Sequence, residues 1–227
     1  MVIENLVIAG GNSALAGGCI YVHSSDVVLS HSAIENCSSA VAGGGIYVNG
    51  SSVVRASDTR ITSCVSISLP VCDASGHARA GDYTRGGAIA LDEEPQGQVH
   101  LLRTTIESCS AVSEYFDAKG GALHALGGSI VMTNSTVSNC QSRSTIALSL
   151  GGCVYMQGYT RLAITDSSLE QCLAFSQQSQ AQGGAVYAEG SSYAAINRSR
   201  LVACAARSQQ SQRVRAGGFY VQSNGTT

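Results

Sequence analysis

Apolar and polar positions alternate along this chain in short runs, and the runs recur at a near-constant spacing. Seven runs open on a glycine pair: AGGCIYV (16–22), GGGIYV (43–48), GGAIAL (86–91), GGALHA (120–125), GGCVYM (151–156), GGAVYA (183–188) and AGGFYV (216–221). By strict alternation, the Ile and Val positions of GGxIYV share one face, and the small residue and the Tyr share the other. A second alternating run follows each, with apolar pairs Val27/Leu29, Val54/Ala56, Val99/Leu101, Ile130/Met132, Leu162/Ile164 and Ala194/Ile196. The third is an Ile-x-x-Cys phrase: IENC (34–37), ITSC (61–64), IESC (106–109), VSNC (137–140), LEQC (169–172) and LVAC (201–204). The opening IENL (3–6) reads as one more copy, with Leu6 in the cysteine place. No segment sustains a period of 3.6, so the pattern predicts strands and no helices.

Strands that stay in register over every copy fit a solenoid better than a sandwich, because each coil must stack on the equivalent positions of the next. The expectation is an all-β, single-stranded parallel β-helix of about six to seven coils, about 31 residues and three short strands each. It is right-handed, as parallel crossovers nearly always are. Residues 1–227 form one such domain. The chain opens in a third strand and stops after a first one, with no polar cap at either end. That predicts a segment of a longer array, or open ends that dock on further coils or partner chains.

Each column then has a predicted place. Cys37, Cys64, Cys109, Cys140, Cys172 and Cys204 point inward at a bend, either as a ladder of small buried thiols or as sequential disulfides. Cys19 and Cys153 sit in the small-residue slot after the glycine pair. The glycines supply positive φ and close backbone approach where the chain turns into a strand. No helix follows them, so dinucleotide and phosphate-loop readings fail. Tyr21, Tyr47, Tyr155, Tyr187 and Tyr220, with Ala90 and His124 in the same column, face outward and form a candidate platform for a glycan or a protein. The simpler role for stacked tyrosines is cross-strand packing. Ser32, Thr59, Thr104, Ser135, Ser167 and Ser199 form a hydroxyl column suited to turns. Beside it run His31, Asp58, Arg103, Asn134, Asp166 and Arg198, with Asp58 and Arg103 set for a cross-coil ion pair. The segment Val65 to Arg85 is a long loop insertion containing Cys72 and His77, too few ligands for a metal site.

The pairing of these phrases resembles the repeat FxxNxA followed by GGAI of the chlamydial polymorphic outer-membrane proteins and of other large surface proteins with the pectin-lyase-like fold. Here Ile-x-x-Cys stands for Phe-x-x-Asn. Cys109-Ser-Ala111 and Cys172-Leu-Ala174 match the Asn-x-Ala part, and residues 86–89 match GGAI. The resemblance covers essentially the whole chain. It implies a β-helix of the kind found in adhesins and passenger domains, with polysaccharide lyases and hydrolases on the same fold.

Composition narrows the function. Apolar residues make up 44% and charged residues 12%, with a net charge of −2. A sequence-independent grip on nucleic acid needs a basic face that this chain lacks. No run of apolar residues is long enough to span a membrane, and MVIENLVIAGGNSALAGG has no signal-peptide character. Lys119 is the single lysine. Asn36, Asn49, Asn134, Asn197 and Asn224 head Asn-x-Ser/Thr triplets and are candidate glycosylation sites, the last four the more accessible. No adjacent Asp pair marks a lyase or hydrolase site, and no catalytic residue, metal or cofactor is expected. The reading is a non-enzymatic structural or adhesive module of an extracellular or cell-surface protein, presenting its Tyr face and stacked loops to a glycan or protein partner. The alternatives are a carbohydrate-active enzyme of the same fold and a scaffold subunit docked in a larger assembly.

Overall fold

A computed structural model describes residues 1–68, 83–92 and 97–222. Every described strand is parallel to its neighbours, and the chain visits the sheets in a fixed order, making a parallel β-solenoid. The tyrosine sheet contains Ile20–His23, Ile46–Asn49, Ile89–Asp92, Leu123–Leu126, Val154–Gln157, Val186–Glu189 and Phe219–Gln222. The aliphatic sheet runs from Val2–Glu4 to Tyr193–Asn197, and the sheet of the Ile-x-x-Cys phrase from Val7–Ala9 to Arg200–Val202, each with seven strands.

Two further sheets lie where the sequence predicts loops, so a full repeat carries five strands rather than three. A serine-rich sheet follows the cysteine and runs from Asn12–Ser13 to Ala205–Ser208. A short sheet precedes the glycine pair: Thr84–Arg85, Ala118–Lys119, Ser149–Leu150, Ala181–Gln182 and Val214–Arg215. Their inward positions are small or hydroxylated, such as Ser66, Ala111, Ser142 and Ala174, all buried. Such strands show no hydrophobic alternation, which is why the pattern missed them. The insertion begins and ends in strands, Val65–Ser68 and Thr84–Arg85; between them, residues 69–82, with Cys72 and His77, lie outside the described residues.

The opening phrase is out of phase with the sequence reading. Ile3 pairs with Leu29 of the aliphatic sheet, and Ile8 with Ile34. Leu6 therefore holds the hydroxyl place, its N–H bonding to Ser32 Oγ, and Gly11 rather than Leu6 holds the cysteine place. The aliphatic pairs form the core as expected: Val54, Leu101, Ile130, Met132, Leu162 and Ile164 are buried, with Ile61, Ile106, Val137 and Leu169 facing them.

The glycine pair works by two separate effects. Gly43 sits at φ 61°, in the left-handed region. A methyl group on Gly44 would run into the backbone of Gly87 and Val65 in the next coil. Just after the pair, the N–H groups of Cys153 and Val154 both donate to the Ala185 carbonyl, at 3.1 and 2.9 Å. Ala122 and Leu123 share the Cys153 carbonyl in the same way. This bulge breaks the alternation. It turns the small residue and the following aliphatic both into the core, instead of putting the small residue on the tyrosine face.

Candidate functional site

The tyrosine column does not face solvent. Tyr155 is fully buried and Tyr187 is 3% exposed, whereas Tyr21 at the edge is 56% exposed. The short sheet covers the column: Leu150 packs on Tyr155 and Tyr187, and Arg215 donates to the Tyr220 hydroxyl at 2.6 Å. Stacking is regular because parallel strands repeat at about 4.8 Å. His124, Tyr155, Tyr187 and Tyr220 follow at centroid distances of 5.1, 5.4 and 5.3 Å, the first two pairs with nearly parallel rings. Tyr21 and Tyr47 form a separate pair at 5.2 Å.

Each buried phenol has a partner at the end of its own strand or the next. Tyr47 donates to Asp92 at 2.9 Å, and where the column narrows to Ala90 the guanidinium of Arg85 reaches the same carboxylate at 2.9 and 3.0 Å. Tyr155 donates to Glu189 at 2.6 Å, and Tyr187 to the other Glu189 oxygen at 3.0 Å. Burial first, then these carboxylates, push all three phenols upward, so they stay protonated. His124 is buried with Nδ1 unpartnered, and burial with Arg85 and Lys119 nearby keeps it neutral. Lys119 lies between two rings, 4.1 Å from the Tyr83 centroid and 5.0 Å from that of Tyr155, with Asp117 at 3.9 Å.

The mixed corner column behaves as read. Arg103 forks onto Asp58 at 2.6 and 2.7 Å, and Arg198 repeats the arrangement on Asp166 at 2.7 and 2.7 Å. Each pair borders a shallow groove, about 670 Å³ beside Asp58, His31 and Arg60 and about 490 Å³ beside Asp166, Asn134 and Arg200. The guanidinium forks hold both carboxyls below the usual carboxylate range, the opposite of what a general acid needs. Every corner residue is left-handed, from His31 at φ 48° to Arg198 at φ 47°.

The cysteine corner is neither pure ladder nor chain of sequential bonds. Cys37 is bonded to Cys19 and Cys172 to Cys153, with Cα separations of 5.6 and 5.2 Å. Both bonds close a single repeat by joining the ladder to the small-residue slot. The bulge makes this possible, since it aims the slot into the core. The available signal was the coincidence of spacing: 18 and 19 residues separate the partners. Cys64, Cys109 and Cys140 remain buried thiols and Cys204 a half-buried one. Hydrogen bonding to the next thiol in the column and burial push Cys64 and Cys109 upward, which leaves them unreactive.

The asparagines of the triplets have local reasons to be there. Asn36 and Asn134 sit at left-handed corners, φ 55° and 48°, a region where Asn is enriched. Asn49 takes the Gly50 N–H at 2.6 Å in a turn, Asn197 ends an exposed strand, and Asn224 lies outside the described residues. Among the described residues no cluster of three His, Cys, Asp or Glu is placed to hold a metal, and no helix is long and apolar enough to cross a membrane.

No family model matches this chain, and neither a curated protein nor a solved structure matches it.

Proposed function

We propose that this chain is a non-enzymatic, right-handed pectin-lyase-like β-helix of about six to seven coils, serving as a structural or adhesive module at a cell surface or outside the cell. The observation that carries the reading is the pair of core disulfides, Cys19–Cys37 and Cys153–Cys172. Bonds of this kind form and persist in oxidising compartments. With Tyr155 and Tyr187 buried, contact with a glycan or protein partner falls to the outer surface. There the Asp58–Arg103 and Asp166–Arg198 grooves offer paired acceptors and donors beside the turns.

The test is a panel of acidic and neutral polysaccharides assayed for both turnover and retention. The module reading expects retention without product, weakened by Arg103→Ala and Arg198→Ala. Product formation that Asp58→Ala or Asp166→Ala abolishes would replace it with the enzyme reading. Loss of both disulfides in protein isolated from its native source would remove the compartment assignment.

A further inference from the structure

Lys119 is the only lysine in the chain, and it is buried. A lone charged amine beneath a solenoid sheet is costly unless something compensates. Its only ion-pair partner among the described residues is Asp117, two positions earlier and just ahead of the same strand, with Nζ 3.9 Å from Oδ2. Both side chains are shielded, 11% and 19% exposed. The Tyr83 and Tyr155 rings stand over the amine and limit access of water. Leu148 N–H donates to the other Asp117 oxygen at 3.0 Å and fixes the carboxyl. Glu189, holding the Tyr155 and Tyr187 hydroxyls, is a third charged group near enough to act on both.

We propose that the folded chain joins Lys119 to Asp117 through an amide between Nζ and the side-chain carbonyl carbon, with loss of one water molecule. The neutral amine attacks the carbonyl of the protonated acid, forming the N–C bond. A proton passes from the nitrogen to the departing hydroxyl, with Glu189 and the Tyr155 hydroxyl as the relay. The C–O bond breaks, and water leaves. No oxidant or co-reactant is consumed.

The site favours the reactive forms of both partners. Burial drives the Asp117 carboxyl upward and the Lys119 amine downward, so each partner is shifted toward its uncharged form. Holding them 3.9 Å apart replaces a bimolecular encounter with an intramolecular one, and exclusion of water favours the amide over its hydrolysis. The product removes a buried ion pair and keeps a carbonyl that can accept the Leu148 N–H.

Having one lysine makes the test direct. Purified wild-type protein is reduced and denatured, its intact mass is recorded, and it is then alkylated and treated with a lysine-specific endoprotease. The amide predicts no cleavage after residue 119 and a mass lower than the sequence by one water. Lys119→Arg and Asp117→Ala regain the full mass, and Glu189→Gln accumulates the unjoined form. Complete cleavage of wild type at the sequence mass overturns the proposal. So does a water loss that persists in Lys119→Arg, because a cyclised Asp117–Ala118 backbone has the same mass and leaves the lysine cleavable. These readouts are taken on denatured chain, and in wild type itself the amide leaves residue 119 uncut whereas a cyclised backbone does not, so a variant that fails to fold does not blunt them.

Discussion

Ala122 stands to Cys140 as Cys153 stands to Cys172: the Ala122 N–H bonds to the Cys153 carbonyl one coil on, and the Leu173 N–H bonds back to the Cys140 carbonyl. The two empty slots nearest this one tell the same story. Ala88 bonds on to the Ala122 carbonyl, and a Cβ on Gly45 would lie 3.2 Å from Cys64 Sγ. Ala122→Cys is therefore expected to form a third single-repeat disulfide with Cys140. Thiol titration under denaturing conditions should give one thiol fewer than wild type. The closed loop matches the native ones, so the gain is about 3 kcal/mol before any strain. A thermal midpoint that rises on oxidation and falls back on reduction checks it. An unchanged thiol balance with the new thiol free would mean that slot and ladder do not face each other.

The native bonds give the reverse experiment. Cys153→Ala opens the loop to Cys172 and is expected to cost about 2–4 kcal/mol. Cys172 then joins Cys140 as a buried thiol, and the denatured protein should titrate one thiol more than wild type. A denaturant midpoint equal to that of wild type would show that the bond contributes nothing to the folded state.

Stability should fall on the acid side because of His124. Its ordinary pKa is 6.5, and burial first, then the Arg85 charge, depress it in the folded chain. Between the depressed value and 6.5 the unfolded chain binds the proton and the folded chain does not, so stability rises with pH there. The contribution is complete above 6.5 and shrinks as pH falls below it. His124→Phe keeps a ring stacked on Tyr155, removes the titration and removes the unpartnered Nδ1, worth about 1 kcal/mol. Urea midpoints at neutral and mildly acid pH should converge in the variant and diverge in wild type. Parallel losses in both proteins would place the acid sensitivity elsewhere.

What the sequence made legible was whatever alternates in hydrophobicity. The three sheets with an aliphatic face follow from pairs such as Val99/Leu101 and from phrases such as IESC, because one face of each strand is greasy and the other is not. The serine-rich and short sheets stayed hidden, since Ser142, Ser149 and Ala181 bury no large apolar group. The same blindness misplaced the tyrosines: without the covering strands, alternation could only send Tyr155 outward. It also misplaced Cys153, because a bulge shifts parity without changing composition. The Asp58–Arg103 pair was readable, as it needs only two columns in register.

Backbone geometry at that corner gives a prediction independent of the ion pair. Arg103 and Arg198 sit at φ 47° with no side-chain feature that favours it. Replacing Arg103 by Ala removes the fork to Asp58 and keeps the strain. Replacing it by Gly removes both, and by Asn removes the fork while suiting the conformation. Thermal midpoints should therefore rank Gly and Asn above Ala. A ranking with Ala highest would mean that the corner is not left-handed in solution.

The second glycine of each pair offers the sharpest test of the stacking itself. Gly44 has an ordinary φ, so an alanine there is not strained by its own backbone. The obstacle is the neighbouring coil: its Cβ would meet the Gly87 carbonyl and the Val65 backbone, and neither is a flexible side-chain end. Coils held by continuous N–H to C=O ladders, including Gly44 N–H to the Gly86 carbonyl at 3.2 Å, cannot part locally without losing bonds on both sides. Gly44→Ala is expected to cost about 3 kcal/mol. Gly10→Ala is the control, since nothing lies within 4 Å of its Cβ and the cost there comes from φ 72° alone. Denaturant melts of the two variants separate close approach from backbone conformation. Equal losses would mean that the coils are not packed as tightly at Gly44 as the register requires.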